Sequence, residues 1–156
     1  METLNMAQKS NKLNWSTLTP EERRKVRERR TENLELGSYN HSTAPYGYIY
    51  VQDKYGYRMV VPDKTLAPII HGAYVGVASA EINSAAELSD FLTKKLGKKF
   101  YPSTAMNLLQ DGRYMGWYRL PPSLGGKHKK ATNFTATIVS EDLFVEAVFR
   151  TLQEGW

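Results

Sequence analysis

Ser103, Thr104, Asn107, Gln110 and Asp111 have the types and spacing to recognise another molecule. On a helix at 100° per residue they share an arc of about 120°. Ala105, Met106, Leu108 and Leu109 fill the other side. One face is therefore amide and hydroxyl, and the other is apolar. Asn and Gln amides both donate and accept, as adenine N6 and N7 require in the major groove. Ser103, Thr104, Asn107 and Gln110 are the candidate base-reading residues. An ordinary amphipathic surface helix carries the same pattern, so the surrounding charge must separate the two readings.

Residues 94–130 hold nine basic residues against Asp111 alone, a net of +8 within a chain of net +5. Residues 1–93 balance eleven basic against eleven acidic residues, and residues 131–156 set Arg150 against four acids. A single basic block on an otherwise near-neutral chain suits docking to a polyanion. Lys98, Lys99, Arg113, Arg119, Lys127, Lys129 and Lys130 are its candidate phosphate ligands, and duplex DNA is the expected partner. Ten tyrosines and a basic loop would also serve stacking on single strands. An RNA-binding or ribosome-associated accessory protein is the alternative, and a protein-interaction module a third reading.

Other chemistry has no residues to carry it. The sequence has no cysteine, which excludes disulfides, thiolate metal sites and a Cys nucleophile. His41, His71 and His128 are scattered, so no metal site is expected, and no cofactor. There is no Walker loop, GxGxxG, HExxH or GxSxG. Glu141 and Asp142 open a helix, while Asp53 and Asp63 flank a turn and a cap. No catalytic residue is expected. No window of 18 apolar residues predicts a membrane span, and the first 20 residues lack a signal-peptide core. The expected location is cytoplasmic.

The elements that must position these residues read as a small α+β domain. Residues 1–18 form a polar, flexible lead-in. Thr19, Pro20 and Glu22 start a helix over 19–36, closed by Gly37. Only Val26 is apolar between Pro20 and Asn33, so this helix cannot rest on packing within one domain, and is either a connector between domains or one side of a nucleic-acid contact. A loop over 37–45 leads to a hairpin, with strands at 48–51 and 57–61 around a turn at 53–56. Leu66, Ile69, Ile70, Ala73, Tyr74 and Val77 form a helical stripe. Ser84 and Glu87 read as a second capping box, with Ala85, Leu88, Phe91, Leu92 and Leu96 buried behind it. The polar-faced helix spans about 103–111, ends at Gly112, and forms a helix-turn-helix-like pair with the helix before it. Strands at 114–120 and 134–139 are expected to pair across a long loop at 121–133. Ser140 caps a last helix whose inward face is Leu143, Phe144, Ala147, Val148 and Leu152.

Several motifs in order resemble the central recombinase domain of large serine recombinases, the phage-type and mobile-element integrases. They are Pro45-Tyr46-Gly47-Tyr48, Ser103-Thr104-Ala105-Met106-Asn107-Leu108-Leu109, Arg113-Tyr114-Met115-Gly116 and Thr137-Ile138-Val139-Ser140-Glu141-Asp142-Leu143-Phe144. The resemblance covers about residues 22–154. It implies sequence-specific binding of an attachment half-site in DNA integration and recombination, over a domain at 37–156. It makes helix 19–36 the connector from a catalytic domain. Its basic side, with Arg23, Arg27 and Arg30, would lie on phosphates, with loop 37–45 near the minor groove. The catalytic domain of the parent and a dimer in the full-length protein are the implied protein partners, and a nucleoid-associated bacterial or phage-encoded protein the implied setting. The family's nucleophilic serine in a Tyr-Arg-x-Ser setting is missing, as are the cysteines of its zinc ribbon. The Gly-rich sequence often found before Pro45 is replaced by Asn40-His41-Ser42-Thr43-Ala44.

Overall fold

The computed structural model describes residues 15–156. Most of the expected 1–18 lead-in thus lies outside the described residues. Trp15–Thr17 form a short 3-10 turn. Helix α1 (Pro20–Glu35) starts as its sequence dictates. Thr19 accepts from the Glu22 N–H, and the Glu22 carboxylate accepts from the Thr19 N–H, both at 3.2 Å. The helix does pack, and its last turn enters the core. Leu34 is buried, and the Leu34 carbonyl accepts from the Tyr118 hydroxyl.

Strands β1 (Tyr48–Gln52) and β2 (Arg58–Pro62) form the expected antiparallel hairpin, with Tyr50 opposite Val60. Helix α2 (Leu66–Ala78) runs through the core and buries Ile70, Ala73, Tyr74 and Val77. Helices α3 (Ala85–Leu96) and α5 (Glu141–Gln153) pack against it, and α4 (Pro102–Leu109) packs on α3. Gly47 carries the one backbone requirement of the Pro-Tyr-Gly-Tyr segment. It holds φ +94°, and an added Cβ would sit 2.4 Å from Ile70 Cδ1.

The second strand pair departs from expectation. Gly112–Met115 is a 3-10 turn closed by Gly116 at φ +89°, so β3 is only Trp117–Arg119. Residues 134–139 do not pair with it. Strand β4 (His128–Lys130) does, with Arg119 opposite His128. The chain turns back through Pro121–Gly126, where the Gly125 and Gly126 N–H groups bond the Pro122 and Pro121 carbonyls. That reversal returns the basic cluster alongside β3 inside what reads as a loop. Phe134 instead bridges Val60, and the Val139 N–H bonds the Tyr114 carbonyl at 3.1 Å.

Three smaller corrections follow from local bonding. Helix α4 ends at Leu109, because Gln110 caps it and Asp111 caps the next turn. The Ser84–Glu87 box is half formed. Ser84 accepts from the Glu87 N–H, but Glu87 reaches the Asn83 N–H instead. On α5, Leu152 is 69% exposed and Thr151 takes the buried place, its hydroxyl returned to the Val148 carbonyl at 2.7 Å. Among the described residues no helix is long and apolar enough to cross a membrane.

Candidate nucleic-acid interface

The buried edge of α4 fixes where its polar edge points. Ala105 and Leu109 are fully buried, with Met106 and Leu108 half-buried. The Tyr74 hydroxyl donates to the Leu109 carbonyl at 2.7 Å, satisfying an acceptor that the helix end leaves open. The entry turn is held by Thr93, whose hydroxyl accepts from the Phe100 N–H at 2.9 Å. Ser103, Thr104, Asn107 and Gln110 are left exposed along the opposite edge.

Asp111 does not continue that edge. Both its carboxylate oxygens accept from the Arg113 guanidinium, at 2.6 to 3.0 Å. Arg113 also donates to the Tyr39 hydroxyl at 2.7 Å. Hydrogen bonding to Asp111 holds Arg113 charged beyond its ordinary range, against the cost of burial. The pair lines two clefts.

One cleft, of about 300 Å³, takes in Lys98, Thr104, Asn107 and Arg113 with Tyr46. The Lys98 ammonium lies 4.0 Å from the centre of the Tyr46 ring, a cation–π contact. The other, of about 330 Å³, takes in His41, Gln110, Arg113, Arg119 and His128. His41 reaches it from the 37–45 loop. Its ring lies 4.7 Å from Tyr39, and its carbonyl accepts from the Tyr50 hydroxyl and Arg58. Burial first, and then the Arg113 charge, lowers the His41 pKa. In the sequence His41 and His128 are scattered and do not point to a shared site. The one available signal was the position of His128 inside the basic cluster.

Other candidates lie elsewhere. Ser103 is exposed and lines neither cleft, and Lys99 stands 5.5 Å over the Tyr101 ring. Lys127, Lys129 and Lys130 lie on and beside β4, where Lys130 meets Glu141 at 3.4 Å. Arg23, Arg27 and Arg30 form a separate row on α1. All three guanidinium groups lie 5.6 to 5.8 Å from the centre of the Trp15 ring. Among the described residues no three His, Asp or Glu side chains gather as a metal site.

No protein-family model matches the chain, and no curated protein sequence matches it. Its fold matches chains of solved structures. A chain from an LSR–DNA complex superposes with a TM-score of 0.61 and 19% identity, over 84% of this chain and 38% of its own length. A chain from work on the sequence requirements of the Listeria innocua prophage attP site gives 0.59 and 21%, over 84% of this chain and 52% of its own length. This chain thus spans about half, or less, of each of these two solved chains.

Proposed function

We propose that this chain is the DNA-binding domain of a large serine recombinase, which binds one half-site of a duplex attachment site. The observation that carries this reading is the exposed polar edge of α4, flanked on both sides by basic clefts. Amides on a rigid helix edge suit base edges in the major groove, and cations beside them suit phosphates. The folds it shares, one from an LSR–DNA complex and one from work on a prophage attP site, support the same reading. In it α1 joins the domain to the catalytic domain of the parent, which dimerises at the site and acts on cytoplasmic, nucleoid-associated DNA. Strand cleavage belongs to that other domain, because this sequence has no serine in an arginine-rich nucleophilic setting.

Selection of bound sequences from random duplex DNA, run beside a structured RNA pool, tests the reading. Enrichment of one duplex motif supports it. Preference for the RNA pool, or no enrichment from either pool, overturns it. Supercoiled plasmid carrying the selected site should stay intact with the repurified chain. Reproducible nicking would assign the chain a cleavage activity of its own.

A further inference from the structure

We infer that the cleft formed by His41, Gln110, Arg119 and His128 is a binding pocket for one backbone phosphate of the DNA strand beside the bases that α4 reads. This rests on the DNA-binding reading and names a contact within it. Four separate segments supply the pocket: the 37–45 loop, the end of α4, β3 and β4. Its volume of about 330 Å³ accepts a phosphodiester with part of its sugar.

The charges inside are sorted for an anion. Asp111 is the one carboxylate in the lining, and both its oxygens are taken by Arg113. Arg113 in turn is spent on Asp111 and on the Tyr39 hydroxyl. Arg119 differs, since among the described residues only its Nε is committed, to the Gly126 carbonyl at 3.1 Å. That bond fixes the guanidinium plane and leaves both terminal nitrogens to donate as a fork, the geometry that suits a phosphate. His128 stands directly across the ladder from Arg119. Imidazole nitrogens can donate to phosphate oxygens from both His128 and His41. Gln110 shares this pocket with the polar edge of α4, so a phosphate seated here would fix the register of that edge on the duplex.

The test is the salt dependence of duplex binding by the wild-type chain, Arg119→Gln, and the double variant His41→Gln/His128→Gln. Lys64→Gln, exposed at the start of α2, is the charge-matched control. Thermal melts of each variant check that it folds. Loss of one phosphate contact should flatten the log–log slope by about 0.9. Arg119→Gln should show that change and about tenfold weaker binding at moderate salt, with sequence preference kept. The histidine double variant should weaken binding severalfold without altering preference. The control should match wild type. If Arg119→Gln folds and keeps the wild-type slope, the pocket is not a phosphate site, although the DNA reading stands. If the wild-type chain binds no duplex, the DNA reading falls and the pocket assignment with it. Placing a single methylphosphonate linkage at each position of the selected duplex gives an independent measure. Among the linkages whose neutralisation weakens wild type, Arg119→Gln should become indifferent to one and keep its sensitivity to the rest, and a profile identical to wild type at every linkage would overturn the assignment.

Discussion

Asn107 and Gln110 sit at the same kind of position, exposed on one edge of a helix whose other edge is buried, yet they face different clefts. Asn107 lies with Lys98 and Thr104, and Gln110 with Arg119 and His128. Their contributions should therefore separate along the DNA. Asn107→Ala and Gln110→Ala should each cost about 1–3 kcal/mol of discrimination, at different base pairs. Neither side chain is buried, so the melting temperature should move little. Binding to the selected duplex and its single base-pair variants measures both. If the two variants keep wild-type preference, α4 is not the reading element.

At the scale of elements, α4 is short, and its placement depends on what it rests upon. Leu109 is fully buried, so Leu109→Ala should destabilise by roughly 2–5 kcal/mol. Tyr74→Phe is subtler. It removes the hydroxyl that satisfies the Leu109 carbonyl and should cost about 1–3 kcal/mol. Denaturant melts would read both. A Tyr74→Phe variant as stable as wild type would mean that α4 needs no such clamp. The β3–β4 pair makes a different contribution. It presents Lys127, Lys129 and Lys130 from a short ladder rather than from a loose loop. Changing all three to Ala should flatten the salt dependence of DNA binding by up to ~3 in slope and leave base preference intact. Lys130 already meets Glu141, so its share should be the smallest. An unchanged slope would remove β4 from the interface.

Across the whole molecule, tyrosine hydroxyls tie distant backbone segments together. Tyr48 bonds the Arg113 and Tyr114 carbonyls and accepts from the Ile138 N–H, Tyr114 bonds Tyr46, and Tyr118 bonds Leu34. Burial pushes the Tyr50 and Tyr118 hydroxyls up to about 12, and raises Tyr39, Tyr46, Tyr48, Tyr74 and Tyr114 as well. A pKa raised in the folded state contributes stability that is complete below the unfolded value of about 10 and is lost as pH rises through the folded one. The fold should therefore weaken from about pH 10 towards about pH 12, with ionisation of these seven tyrosines and loss of helix in one step. Absorbance and circular dichroism followed together would check this. Tyrosinate beyond the share of the exposed Tyr55, Tyr57 and Tyr101, appearing well before any loss of helix, would show that these hydroxyls do not hold the fold.

Much of α4 was legible in the residues themselves. The division of 103–110 into a polar and an apolar edge follows from the helical period, and the caps at Thr19 and Ser140 from bonds reaching three residues ahead. Such interactions act within one turn, so sequence order alone determines them. Local order left three things undecided. The sequence does not say that Asp111 leaves the helix to hold Arg113. It does not say that residues 128–130, rather than 134–139, pair with β3. Nor does it say that His41 closes a cleft with Arg119 and His128. The first is a bond two residues long that competes with continuing the helix, and the other two depend on which more distant partner competes best for a donor or a strand edge. The loop bearing His41 is positioned through Tyr39 and Asn133, which exchange two backbone–side-chain bonds although they lie 94 residues apart. A contact across that separation leaves no period in the chain. The helix that would read bases could therefore be found by spacing, whereas the pocket that would seat its neighbouring phosphate exists only once the fold brings the 37–45 loop against residues 110–128.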